Sequence, residues 1–275
     1  MDGSVRLESV GGHLVRVPVE VGASVATGFV LDTGIGLDLV SKSLLARAGG
    51  RLIGETHVGR RMSGQRIDVP LARVPSLSLG SLRRDDALVG VFDFELPPEL
   101  AGIEGFLAPT FFGTIPFTLH RQSGSLSWGT GGFAAPFVRS VGDARLNVRW
   151  DGPSVSLFVD LTLPDRTVAT VEVDTGSGTL ILDARFMSSL GVRDGAPGVR
   201  KDEGKDETGH AYVRFRSQVA GRFCLRDVPE VRQQDPAVMF QKIVYDGLLG
   251  DEFLRAFDVT FDLGHSRVRF ASPRS

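Results

Sequence analysis

A tripeptide used twice in matching surroundings constrains this chain more than any other feature: Asp32-Thr33-Gly34 in FVLDTGIGLDLV and Asp174-Thr175-Gly176 in VEVDTGSGTLIL. The two aspartates lie 142 residues apart in a chain of 275. Either copy alone would mark no more than a tight turn, since Asp and Gly are turn residues. The same offset continues downstream, where GFL at 105–107 follows Asp32 by 73 residues and GLL at 247–249 follows Asp174 by 73. From there GFLAPTFFGTIPFTLHRQSGSLSW aligns with GLLGDEFLRAFDVTFDLGHSRVRF without a gap, matching Phe111 to Phe253, Thr118 to Thr260 and Trp128 to Phe270. Upstream, HLVRVPVEV at 13–21 aligns with VSLFVDLTL at 155–163. A period this long is a duplicated domain, because solenoid units run to roughly 20–50 residues. The expected organisation is two related lobes, residues 1–133 and 134–275, divided near 130–140 where GTGG interrupts the apolar pattern.

Short alternating or continuous apolar runs such as LVRVPVEV, LSLG, VSLFVDL and TVEVD, each bounded by Gly, Pro, Asp or Ser, predict an all-β fold with a few short helices. Matching helical segments are expected at 41–49 and 183–191, each with an N-capping side chain and a closing glycine. Further short helices are expected near 109–112 and 251–257. Two polar, glycine-bearing loops, 54–66 and 196–208, stand at equivalent places in the copies and suit exposed hairpins.

Two lobes related by an approximate two-fold axis bring equivalent loops together, as in an isologous contact. If the Asp loops meet there, two carboxylates share one small space, and like charges so close retain one proton between them. One carboxylate then serves as base and the other as acid: water held between them loses a proton to the first and attacks a carbonyl whose oxygen the second protonates. The candidate catalytic residues are therefore Asp32 and Asp174. Gly34 and Gly176 permit the turn and the close approach of the opposite lobe. Thr33 and Thr175 are placed to hydrogen-bond across the interface, and Ser177 to hydrogen-bond Asp174.

Other chemistries find little support. Thirty-one basic against 33 acidic residues give a net charge of -2, which points to neither nucleic acid nor an anionic membrane. The five histidines show no metal-ligand spacing, and the single Cys224 stands in an alternating run that suits a small core residue. Ser177 lacks the GxSxG setting of a hydrolase nucleophile, and the glycines of 198–205 lack phosphate-loop spacing. No cofactor is expected. No apolar run reaches the 18 or so residues of a membrane span, and MDGSVRLESV lacks the pattern of a secretory signal. The expectation is a cytoplasmic monomer, or a periplasmic or secreted one had a signal been removed.

With these residues in place, the chain resembles the pepsin and retropepsin superfamily of aspartic peptidases, and most of all bacterial retropepsin-like proteins, here with both halves fused. The resemblance rests on the two DTG runs, the downstream apolar-Gly element and the flap-like loops, and spans nearly the whole chain. It implies a bilobal β fold and endopeptidase activity on extended peptides or proteins at apolar positions. It also implies substrate-covering flaps near 59–66 and 201–210, with Met62, Ser63, Gly64, Gly209 and Tyr212 as substrate-binding positions. The alternatives are an inactive peptide-binding protein of the same fold, or a dyad turned to acid–base chemistry on a small metabolite. Two departures stand out: Ile35 follows the first DTG where a hydroxyl residue is usual, and the first apolar-Gly element reads Phe106-Leu107-Ala108 against Leu248-Leu249-Gly250. Loss of one hydroxyl that would stabilise the ionised pair should raise its apparent pKa. The expected rate profile therefore peaks at a less acid pH than pepsin's; a measured optimum below about pH 4 would contradict this.

Overall fold

The computed structural model describes residues 2–23, 26–92, 96–129, 140–205 and 209–273. The proposed division at 133/134 falls in 130–139, outside the described residues. Three sheets account for the strands. The eight-stranded sheet is built from the first copy, running from strand Glu8–Val10 to strand Ile103–Leu107 in chain order. The ten-stranded sheet is built from the second copy, from Asn147–Asp151 to Gly247–Leu249. The third, six-stranded, draws on both: Gly3–Arg6, Phe117–His120 and Ser125–Trp128 from one side, Ser140–Arg145, Asp258–Asp262 and Arg267–Ala271 from the other.

The alternating sequence LVRVPVEV forms strand Leu14–Val21, burying Val15, Val17, Val19 and Val21 on one face while its intervening residues are more exposed. Each Asp loop grows from a strand held in parallel by the downstream apolar-Gly element. Thr27–Leu31 runs beside Ile103–Leu107 with Leu31 opposite Leu107, and Val168–Val173 runs beside Gly247–Leu249 with Val173 opposite Leu249. In both copies the next amide continues the ladder, Asp32 N donating to Leu107 O at 3.0 Å and Asp174 N to Leu249 O at 3.1 Å. The shared sheet shows the duplication as a contact: Thr118 and Thr260, equivalent positions of the copies, stand opposite each other with their hydroxyls 2.9 Å apart.

The helices are shorter than the sequence pattern suggests. The first is Lys42–Arg47, with Ser41 Oγ accepting from Leu44 N. Its counterpart is only a 3-10 turn, Ala184–Phe186, capped by Asp183. Beyond it the backbone bonds span three, four and five residues in turn, Met187 to Ala184, Leu190 to Phe186 and Val192 to Met187, which brings Val192 into the core instead of extending a helix. Pro109–Phe111 is likewise a 3-10 turn, and Asp251–Leu254 is a single helical turn. Cys224 is buried in strand Arg222–Leu225.

One hydrophobic core runs through both copies, from Val15 to Phe270, and crosses the shared sheet through the stacked rings of Phe112, Phe117 and Phe261. Phe117→Ala is expected to lose about 3–5 kcal/mol. Because the core is continuous, urea unfolding followed by tryptophan fluorescence and by circular dichroism should remain one coincident transition; two separated transitions would show that the halves unfold independently.

Candidate active site

The two DTG loops meet face to face and are tied by a reciprocal set of hydrogen bonds. Thr33 Oγ1 donates to Val173 O at 2.6 Å and accepts from Thr175 N at 3.0 Å. Thr175 Oγ1 donates to Leu31 O at 3.0 Å and accepts from Thr33 N at 3.0 Å. Both threonines are buried, so each hydroxyl satisfies a donor and an acceptor that water does not reach.

This clasp presses each carboxylate against the opposite glycine. A methyl group at Gly34 would sit 2.6 Å from Asp174 Cγ, and one at Gly176 would sit 2.5 Å from Asp32 Oδ2. Real Cβ atoms do not approach so closely, so no larger residue fits either position without moving a carboxylate. Gly34 N donates to Asp32 Oδ1 at 2.8 Å and Gly176 N to Asp174 Oδ1 at 2.8 Å. Asp32 and Asp174 are hydrogen-bonded to each other and half-buried. Burial raises the pKa of both above the usual carboxylate range; that of Asp174 is raised further by the charges of Asp32 and Glu172. The pair is thus built to share one proton.

Ser177 hydrogen-bonds Asp174 as expected, but through its backbone and not its hydroxyl. Its backbone N donates to Asp174 Oδ1 at 3.2 Å, but its hydroxyl donates to Thr179 O at 3.1 Å and so stabilises the turn, not the dyad. The missing hydroxyl at Ile35 therefore breaks no symmetry of the carboxylates. Ile35 supplies a backbone hydrogen bond to Asp32, while its side chain joins an apolar patch around Val30, Leu39, Phe92, Ile103 and Phe106. Burial and neighbouring charge, not a lost hydroxyl, raise the pair.

The Ala108 departure also has a local reason. A methyl group at Gly250 would lie 2.4 Å from Thr179 O, whereas Ala108 is accommodated fully buried. Its N–H donates at 2.8 Å to Asp38, a carboxyl that burial pushes up to about 7.

The hairpins behave unequally. The first, Arg51–Arg60 with Arg66–Leu79, carries Met62, Ser63 and Gly64 at its tip. It reaches the other copy: Val244 N donates to Met62 O at 2.9 Å, and Met62 packs on Ile181, Met239, Ile243 and Leu248. Asp183, through its Oδ2, holds that landing segment by accepting from Ile243 N at 2.9 Å. In the second hairpin, Arg200–Lys205 with Ala211–Gln218, Tyr212 stays on its own strands, against Gly204 and beneath the Arg214 guanidinium. Gly209 has open space around it, and residues 206–208 lie outside the described residues.

Two participants were not singled out by motif. His13 Nε2 lies 3.0 Å from Gly176 O, placing an imidazole of the first copy against the second Asp loop. Glu172, two residues before Asp174, is buried, and burial pushes its carboxyl up to about 7. Its visible signal was an acidic residue in VEVD where the first copy has FVLD.

Residues 17–107 match the family model described as aspartyl protease. No curated protein matches the chain. Among solved structures, conglutin gamma, a basic 7S globulin from lupine seeds, superposes with a TM-score of 0.57 at 11% identity, over 98% of this chain and 95% of that one. At that identity the likeness concerns the fold alone.

Thr33→Ala leaves the Thr175 amide and the Val173 carbonyl without their partner, at about 1–3 kcal/mol for each group left unsatisfied. Thermal unfolding should show this loss for Thr33→Ala and for Thr175→Ala, while Thr33→Ser, which keeps the hydroxyl, stays close to the native protein. Equal losses for Ala and Ser would mean that methyl packing, not the hydrogen bonds, closes the loops.

Proposed function

We propose that this chain, whose residues 17–107 match the aspartyl protease family model, is an endopeptidase in which Asp32 and Asp174 activate water against a peptide carbonyl. The single observation that carries this reading is the paired approach of the two carboxylates across the threonine clasp, each seated on the opposite loop's glycine. A fold shared with a seed globulin does not imply cleavage, so the argument rests on this geometry.

In the proposed cycle the pair begins with one proton, Asp174 protonated and Asp32 ionised. Water between them gives a proton to Asp32 as its oxygen bonds to the carbonyl carbon, and Asp174 protonates the carbonyl oxygen. The tetrahedral diol then collapses: its C–N bond breaks, the leaving nitrogen takes a proton from Asp32, and one diol hydroxyl returns a proton to Asp174. The starting state is restored. Preorganised backbone donors, Gly34 and Gly176, hold the carboxylates throughout.

Apolar side chains of an extended peptide are the favoured substrate groups. Ile35 and its neighbours Leu14 and Val69 form a partly exposed apolar surface beside the first loop. Met62, partly buried, caps a buried apolar cluster of Ile181, Met239, Ile243 and Leu248 beside the second. The first hairpin, which already spans the two copies, acts as the cover.

Mass-spectrometric profiling of a diverse peptide library from about pH 3 to 8 tests the reading, with Asp32→Asn and Asp174→Asn run in parallel. Each substitution is expected to lower cleavage by at least about 100-fold while the fold persists, since acid–base roles contribute about 10²–10⁴-fold. Absence of cuts by the native protein at every pH would reject peptidase activity in favour of peptide binding or a non-peptidase reaction.

A further inference from the structure

Glu172 is a buried carboxyl that the proposed cycle does not use. It lies on strand Val168–Val173, opposite Phe158 on one side and Leu248 on the other. It stands two positions before Asp174, with Val173 alone between them, so both side chains leave the chain on the same face. The equivalent residue of the first copy, Val30, is fully buried in the apolar patch beside Asp32. The duplicated frame accordingly holds a hydrocarbon behind one catalytic aspartate and a titratable group behind the other.

The surroundings of Glu172 are polar on that face. Ser156, on the neighbouring strand Ser154–Thr162, hydrogen-bonds both Glu172 and the Tyr245 hydroxyl. Arg149 stands opposite Ser156 in the next strand, its guanidinium 4.1 Å above the Phe158 ring. Tyr245 closes the group edge-on to Phe158, with ring centroids 5.2 Å apart. The charges facing Glu172 are therefore Arg149, which favours its ionised form, and Asp32, which opposes it, while Glu172 in turn raises the carboxyl of Asp174. Ser156 and Arg149 thus support a carboxylate at this place, while Asp32 repels it, so the charge of Glu172 is held against the dyad.

We propose that Glu172 is a positioning residue for the dyad's proton: a third buried carboxyl, two positions before Asp174 on the same strand, whose negative charge keeps one proton on Asp32 and Asp174. The inference rests on the dyad reading given above. The sign follows from electrostatics. Below neutrality Glu172 is protonated and leaves the dyad alone. As pH rises it ionises, the added negative charge opposes loss of the remaining dyad proton, and the singly protonated pair persists to higher pH. Arg149 and the Ser156 hydroxyl make that ionisation attainable in a buried setting.

Glu172→Gln removes the charge and keeps the shape; Glu172→Val installs the first copy's residue and serves if the Gln variant does not fold. Two readouts are compared with the native protein. Carboxyl-carbon NMR with 13C-labelled aspartate follows the dyad's titration directly and needs no turnover. The pH profile of kcat/KM on a peptide cut in the library follows the same proton through activity. Both the upper dyad titration and the alkaline limb are expected to move toward acid by on the order of one pH unit in both variants. An unmoved dyad titration overturns the inference, whether or not the protein cuts peptides. A shifted titration in a protein that cuts nothing supports Glu172's hold on the proton and overturns the peptidase reading alone.

Discussion

The reciprocal hydrogen bonds of Thr33 and Thr175 are the constraint on which the rest of the site depends. Each hydroxyl reaches across the interface to a carbonyl of the opposite strand and receives the opposite loop's amide. Three buried polar groups of each copy, the threonine amide and hydroxyl and one strand carbonyl, are thus bonded by the other copy, which makes the apposition of the loops part of the folded state. Once the loops are clasped, Gly34 and Gly176 have no freedom to be anything larger, and the two carboxylates have no freedom to separate. The shared sheet repeats the logic farther away, where Thr118 and Thr260 meet at the local two-fold axis.

A symmetric frame here carries unsymmetrical chemistry. The backbone around each aspartate is nearly superposable in its bonding, down to the amide of the residue two places on. The side chains around it are not. Asp32 is backed by Val30 and flanked by Ile35, whereas Asp174 is backed by Glu172 and flanked by Ser177. A pair that must divide into one acid and one base gains from such a difference, because neighbouring charge decides which member holds the proton more firmly. The covering hairpins follow the same pattern: one reaches the opposite copy at Val244, and the other keeps Tyr212 folded onto its own strands.

Much of this was legible because it is written as repetition. The offset of 142 residues that links the DTG runs also links Leu107 to Leu249 and Thr118 to Thr260, and each of those pairs occupies equivalent or touching places in the fold. Features without a counterpart were harder to read. Glu172 interrupts an apolar run by one residue and resembles any edge-strand charge until the strand is seen to be enclosed. The Ser177 hydroxyl had two acceptors within local reach, and the turn carbonyl of Thr179 took it. The helix expected at 183–191 gave way because Val192 is worth more in the core than a continued turn is at the surface.

By itself the sequence determined the β character, the duplication and the identity of the two aspartates, since strand periodicity and local turn chemistry depend on neighbouring residues that the chain lists in order. Only the tertiary structure decided which further groups stand around that pair. Whether Glu172 lies near Asp32, and whether Met62 touches Ile243, depends on contacts between residues more than a hundred positions apart. Electrostatic coupling depends on separation and on burial away from water, so charge in this site is a property of the packed interface and not of the string.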